Sequence, residues 1–561
     1  MKRASMETHA TDQACGLGRQ LPSTMTSGAM ARVRTVVLRL AACLAAVAVC
    51  LMTVLVPAAA AAPGAGSATT IGKTTSAQID DYIQQQASAD HIPGTAVGIV
   101  AGGRPVLLKG FGNATADTPF FLGSIGKSFT ALAIMQLADQ GKVDLDAPVR
   151  KYIPWFKVGD GRESGSITVL QLLDQTSGIS TKAGLTELSF KPTTTFARAI
   201  DGFEMFPLTA RPGKAFQYSN ANYTIAGYIV QRVSGQSYDS YVRQHIFAPL
   251  GMTHTYAMTG TAREPGLTRG YATWFGLKVP LTEQVAAPLI PAGYIISTAS
   301  DMTHYLIAQM NGGVYDGTRI VSAAAMREMH APLAPLGSQT LVPGATSYGL
   351  GWAVGTINGT PLIAHDGQLR DFDSAMAILP RKNIAVVVLM NQDPQLVVPD
   401  DQLYDGIMQG ITTGTFPPVS HAFTIFYAIF DAIALATVIL MIGSFWRTGR
   451  WLRKFRARAA RTRLWRASVR AIGTDLGIAA LIAVAVGYGL GSVEGFVPLT
   501  PAMMIFAAPD VAVWIYALVI FFAARAVVRA MVIAAAAARY HGPGDQPAPP
   551  EHAKRDSGVA S

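Results

Sequence analysis

Ser124-Ile125-Gly126-Lys127 is the single Ser-x-x-Lys in the chain, and it opens a stretch with helical spacing. A serine hydroxyl is a poor nucleophile until a base removes its proton. A lysine three residues on shares the helix face and can reach that oxygen. A helix N-terminus also favours the negative charge that develops on the serine oxygen and its adduct. Taken alone, the same spacing fits a solvated helix face. Tyr218-Ser219-Asn220 follows Pro212-Gly213-Lys214 and precedes another helical stretch. Tyr218 near a lysine can act as a phenolate-like base or as a proton shuttle, and the Asn220 amide can fix the lysine and a substrate carbonyl. Alone, this tripeptide is equally a turn and an N-cap. The third candidate is His365-Asp366-Gly367, whose glycine lets backbone approach a substrate and whose histidine can contact a leaving group or carboxylate. An ordinary loop has the same composition.

These residues need elements to hold them. Ser76–Ala89 has helical spacing, with Ser76 as N-cap. Thr95–Ala101 and Pro105–Phe111 flank Gly102-Gly103, a hairpin signal. Ser124–Gln140 and Asn220–Val233 read as helices, the second closed by Gly235. Ala375–Leu379 and Ile384–Met390 flank a four-residue turn and form a second hairpin. A helix, a hairpin, a mostly helical middle and returning strands predict an α/β sheet domain with a helical insertion. No internal repeat is evident.

Composition removes several alternatives. The chain has 561 residues, too many for one ordinary core. Half of them are hydrophobic and 14% are charged, which argues against disorder and for a globular domain joined to membrane helices. The three cysteines, Cys15, Cys43 and Cys50, all precede the main domain, which therefore has neither a disulfide framework nor a thiolate metal site. The ten histidines form no His-Glu-x-x-His or His-x-His cluster, so no metal and no cofactor are expected. No Gly-x-Ser-x-Gly elbow occurs. The net charge of +10 equals the ten cations between Arg447 and Arg470, a local patch between apolar runs, so no nucleic-acid partner is implied.

Arg32, Arg34 and Arg39 precede the 17-residue apolar run Leu40–Val56 and the small residues Ala58–Ala62, the pattern of an export signal. Its removal and its retention as an anchor both stay open. Phe423–Trp446, Ile472–Val493 and Val511–Val528 are each long enough to cross about 30 Å of hydrocarbon at about 1.5 Å per residue. The cationic patch after the first run belongs on the cytoplasmic side, which puts everything before Phe423 outside. The expected organisation is an N-terminal extension and signal over 1–62, an extracytoplasmic domain over 63–421, a membrane region over 422–540 and a disordered tail over 541–561. The expected partners are the lipid bilayer and a small-molecule or peptide ester or amide. Asp431, Asp475 and Arg525 lie within the apolar runs, and Asp475 and Arg525 can pair or snorkel at the inner boundary.

Taken in order, Ser-x-x-Lys, Tyr-x-Asn and His-x-Gly resemble the beta-lactamase-related serine hydrolases, which include class C beta-lactamases, penicillin-binding DD-peptidases, D-aminopeptidases and esterases. The likeness extends over about residues 75–412. It includes Phe129–Leu137, Gly141–Val149, the Leu-Leu…Thr-Ser-Gly segment ending at Thr176-Ser177-Gly178, Val233-Ser234-Gly235, Phe247–Met252 and Tyr348-Gly349-Leu350-Gly351-Trp352. The resemblance implies an antiparallel sheet flanked by helices, with a helical subdomain. It implies Ser124 as nucleophile, Lys127 and Tyr218 as proton handlers, and Asn220 and His365 as substrate-positioning groups. It further implies an oxyanion hole from the backbone N–H groups of Ser124 and Gln368, the residue after Gly367. The chain departs from the family pattern at Gln175, where histidine is common before Thr-Ser-Gly, and at Gln368–Asp371, where glycines commonly follow the third motif. It also departs at His365, where true beta-lactamases and DD-peptidases mostly have lysine. The last departure shifts the expected activity toward esterase or peptidase chemistry. A penicillin-binding sensor, DD-peptidase or beta-lactamase-type protein is the alternative, and Arg370 is a possible replacement for the missing cation.

Overall fold

The hairpin runs read from the sequence meet in one sheet. The computed structural model describes residues 73–159, 161–261, 266–339, 341–392, 402–458, 464–489 and 508–540. The expected export signal and the tail from His541 lie outside the described residues. Strands β1 (Gly94–Ala101), β2 (Arg104–Gly112), β3 (Ala334–Pro335), β4 (Ala345–Tyr348), β5 (Ala353–Ile357), β6 (Thr360–Gln368), β7 (Asp373–Leu379) and β8 (Ile384–Met390) pair antiparallel in the order β3-β4-β5-β6-β7-β8-β1-β2. Gly102 and Gly103 take positive φ at the β1–β2 turn, as the Gly-Gly signal requires. The N-terminal and C-terminal hairpins become neighbours through β1 and β8, a pairing across about 290 residues of chain that turn chemistry cannot encode.

The central strands β1, β7 and β8 are continuous apolar runs because both faces are covered. Val97, Ile99, Val386 and Val388 face Ile79, Tyr82 and Ile83 of helix α1 (Lys73–Ala89) and, further along the chain, Leu403, Ile407 and Ile411 of the helix Gln402–Thr413. Ala96, Val100, Val387 and Leu389 point the other way, toward α2 (Gly126–Asp139), α3 (Asn220–Ser234) and α4 (Ala299–Met310). This second layer contains the helical insertion. It is buried nearly throughout, α2 from Gly126 to Leu137, which explains why α2 reads as apolar on more than one side.

After α5 (Gln402–Thr413) come three long helices: α6 (Ala422–Arg458), α7 (Leu464–Gly489) and α8 (Pro509–Tyr540). α6 and α8 contain stretches long and apolar enough to cross a membrane, Ala422–Trp451 and Pro509–Ala535. The expected middle span does not reach that length within the described residues: its apolar part is Ile472–Ile482, and its end beyond Gly489 lies outside them. Asp475 is fully buried between Arg525 and Arg529, with Arg529 Nη1 2.7 Å from its Oδ2. That ion triad joins α7 to α8 and pairs two of the three charges within the apolar runs, Asp475 and Arg525; Asp431 on α6 lies outside it.

Candidate active site

Ser124 sits in a 3₁₀ turn, Gly123–Ile125, that runs directly into α2. The helix expected from Ser124 therefore opens as a tight 3₁₀ turn and becomes α-helical only at Gly126, which leaves the Ser124 N–H among the donors at its N-terminal end. One turn on, Lys127 donates from Nζ to Ser124 Oγ at 2.8 Å and to the Ala292 carbonyl at 2.6 Å. Lys127 is fully buried. Desolvation lowers its pKa to about 7, against the opposing pull of Glu187 and Asp366, so a neutral amine is accessible near neutral pH.

Tyr218 lies just before the α3 N-cap, where Thr181 Oγ1 donates to its carbonyl at 2.7 Å and Gln175 Oε1 accepts the Ser219 N–H at 3.1 Å. The Lys127 ammonium position is 4.8 Å from the Tyr218 ring centroid, and the Tyr218 hydroxyl is hydrogen-bonded to Ser124. Of the two roles open to this tyrosine, the phenolate is disfavoured. Burial pushes its pKa well above the ordinary range, followed by the neighbouring Tyr348, so the group is a neutral phenol able to pass a proton. Gln175, one of the positions where the sequence departs from the pattern it resembles, is buried at positive φ and ties this loop to Asn222 of α3.

Asn220 opens α3 beside the site, and its amide reaches the Glu187 carboxylate. Its buried Oδ1 has no protein partner, an acceptor available to a donor on a substrate. Glu187 was not anticipated from the sequence. It belongs to a short 3₁₀ turn, is 5% exposed, and accepts a hydrogen bond from Thr224 Oγ1 at 2.6 Å. Burial raises its pKa, and the Thr224 bond and Lys127 oppose the rise. An isolated acid in Thr186-Glu187-Leu188-Ser189 gives no spacing signal that would have found it.

His365, in the middle of β6, is 1% exposed. Its Nδ1 is 2.6 Å from the Asp366 carbonyl, so that nitrogen carries the proton; its Nε2 then accepts from the Tyr348 hydroxyl at 2.9 Å. Burial first, and the Lys127 charge second, lower its pKa to about 3. It is neutral at physiological pH. Arg370 does not replace the missing cation at this position: it pairs with buried Glu283, Nη2 to Oε1 at 3.1 Å.

The backbone between Ser124 and β6 is packed without room for side chains. A Cβ on Gly123, at φ +50°, would lie 2.5 Å from Gln368 N, and one on Gly367 would lie 2.1 Å from Leu122 O and 2.8 Å from Ser124 N. Ser374 Oγ fixes the arrangement from β7, 2.7 Å from Leu122 O and 3.1 Å from Gly367 O. The Gln368 backbone nitrogen thus lies close to the turn that carries Ser124. Among the described residues no cluster of His, Cys, Asp and Glu could hold a metal ion.

Ser124, a buried lysine amine and a phenol thus meet beside an antiparallel sheet with a helical layer. The family description Beta-lactamase matches residues 79–406, more than half of the chain, and the chain belongs to that family of serine hydrolases. It is 31% identical over 332 residues to Protein flp of Staphylococcus aureus, a match covering 57% of this chain and 64% of that one. It is 29% identical to Penicillin-binding protein 4 of Amycolatopsis lactamdurans over 54% of this chain and 81% of that protein. The structure of a D-stereospecific amidohydrolase from Streptomyces sp. superposes with a TM-score of 0.50 at 26% identity, over 60% of this chain and 99% of the other. The chain thus aligns to less than two thirds of the length of the flp proteins.

Proposed function

We propose that this chain is a membrane-anchored hydrolase that cleaves an ester or amide through an acyl-enzyme on Ser124, with its catalytic domain outside the cytoplasm. The observation that carries the reading is the 2.8 Å bond between Lys127 Nζ and Ser124 Oγ in a lysine with no solvent exposure. Neutral Lys127 accepts the Ser124 proton as Oγ attacks the carbonyl carbon. The developing oxyanion takes hydrogen bonds from the N–H groups of Ser124 and Gln368. The proton passes through Tyr218 to the leaving oxygen or nitrogen, and the acyl group remains on Ser124 until water attacks by the reverse relay. Asn220 Oδ1 and His365 orient the substrate. Labelling the full chain with a fluorophosphonate and mapping the adduct tests this: the modified peptide contains Ser124, and an adduct elsewhere refutes it.

The pH dependence follows from the signs. The active form needs Lys127 deprotonated, and its pKa is lowered to about 7. Glu187 interacts with it, so the observed value belongs to the pair. For an uncharged ester, kcat/KM rises tenfold per pH unit below about 7 and levels off above it. Tyr218 stays protonated and His365 stays neutral across that range, so neither produces a falling limb between pH 7 and 9. A bell-shaped profile in that window contradicts the assignment.

A neutral His365 holds no permanent charge against a substrate carboxylate. Short uncharged esters are therefore preferred over nitrocefin in kcat/KM, and His365→Lys shifts that ratio toward nitrocefin by roughly tenfold or more, the worth of one charge-assisted hydrogen bond. The likeness to Penicillin-binding protein 4 supports the second reading, action on beta-lactams or cell-wall peptides. Wild type that turns over nitrocefin as well as the ester favours it.

The topology has its own readout. A reporter fused after Asn391 is active only outside the cell and one at Ala459 only inside; the opposite pattern reverses the assignment.

A further inference from the structure

The hairpin formed by Gly270–Trp274 and Leu277–Leu281 connects the membrane helices to the neighbourhood of Ser124. At its tip, the Phe275 N–H donates to Asp510 Oδ2 at 3.0 Å at the start of α8, and the Phe275 ring stacks on Phe430 of α6 at 5.6 Å. Lys278 Nζ lies 4.6 Å from the Phe423 ring centroid. Phe423, Phe426, Tyr427, Phe430 and Trp514 form one aromatic cluster there, the composition of a membrane–water boundary.

At the other end of the hairpin, Gly270 and Leu281 line a cavity of about 330 Å³ together with Arg269, Glu283, Asp371 and Phe372. That size falls within the range of small-molecule sites. One wall is the loop that follows Gln368, and Phe121, packed 5.3 Å from Phe372, stands three residues before Ser124. Between the two ends, alternate residues of one strand share a face. Leu277, Val279 and Leu281 thus form an apolar stripe from the membrane boundary to the cavity, with Leu277 70% and Val279 38% exposed.

We propose that the substrate is an amphiphile, a long-chain acyl or alkyl ester or amide drawn from the bilayer surface. Its reacting carbonyl stands at Ser124, outside the cavity lining, the part next to it passes the Arg269–Glu283–Asp371 cavity, and its chain lies along Leu277 and Val279. The proposal rests on the hydrolase reading above. It predicts selectivity by chain length, since each methylene seated on apolar surface is worth about fourfold in transition-state binding.

The test uses the full chain in detergent, with 4-nitrophenyl acetate and 4-nitrophenyl decanoate. In wild type, kcat/KM for decanoate exceeds that for acetate by about 50-fold or more, the worth of roughly three seated methylenes. Leu277→Asp combined with Val279→Asp lowers the decanoate-to-acetate ratio by about tenfold or more, and Leu277→Met with Val279→Ile restores it. A wild-type ratio near one, or a ratio unmoved by the aspartates, overturns the amphiphile inference while Ser124-dependent acetate hydrolysis leaves the hydrolase reading standing. The same holds if the conservative pair lowers the ratio as much as the aspartates do. Equal background rates for wild type and Ser124→Ala on both esters overturn the two together.

Discussion

Ser124→Ala abolishes covalent labelling by a fluorophosphonate and reduces hydrolysis of 4-nitrophenyl acetate to background. Lys127→Ala, which leaves the hydroxyl in place without its base, lowers kcat by about 10⁴-fold. The two effects are close in size because nucleophile and base act as one unit, so removing either disables both. The double variant is accordingly little worse than Ser124→Ala alone. Among the described residues the hydrogen bonds of Lys127 Nζ go to Ser124 and the Ala292 carbonyl, so its truncation removes a donor from one buried carbonyl and takes no apolar side chain from the α2 core. Ester hydrolysis unchanged in Ser124→Ala refutes the nucleophile assignment. A Lys127→Ala variant within tenfold of wild type would instead assign the base elsewhere.

Gly367→Ala lowers kcat for ester hydrolysis by about 10²- to 10³-fold, the measured worth of an oxyanion-hole donor. The physical cause is steric. The added methyl would stand 2.1 Å from Leu122 O and 2.8 Å from Ser124 N, both backbone atoms, so β6 must move away from the turn that holds the serine. That displacement separates the Gln368 N–H from the Ser124 N–H while Ser124, Lys127 and Tyr218 remain in contact. The variant therefore still reacts with a fluorophosphonate, more slowly, and loses kcat more than it raises KM. Wild-type kcat in Gly367→Ala would show that the N–H pair does not stabilise the transition state.

Both predictions concern positions visible in the sequence, and the reason is local. Ser-x-x-Lys closes its hydrogen bond within one helical turn, so its spacing alone brings lysine to serine. Gly102-Gly103, Gly235 and the turn at 380–383 end their elements through conformations that only nearby residues determine, and those boundaries agree with the structure to within a residue or two. Apolar runs in β1, β7 and β8 likewise marked strands, and the structure shows both their faces covered.

Other features had no local signature. Glu187 reaches the site because its turn packs against α3, where Thr224 and Asn220 hold it. Nothing in the sequence around it distinguishes it from a surface acid. The phenolate form of Tyr218 was open in the sequence and is closed by burial, a property of the surroundings rather than of the residue. Arg370 looked available as a cation three residues past Gly367, yet it turns to Glu283, 87 positions earlier in the chain.

The sequence by itself therefore singled out the candidate groups, the elements that bear them and the apolar runs of α6 and α8, because each depends on spacing along one strand, helix or turn. The tertiary structure decided the state in which those groups work. Lys127 and His365 lose water only when sheet and helices close around them, and desolvation then lowers the pKa of the amine to about 7 and keeps the imidazole neutral. It also decided that β6 lies against the serine turn and that a hairpin from the middle of the chain meets the long apolar helices α6 and α8. Those pairings join residues far apart in sequence, and only packing of the whole domain specifies them.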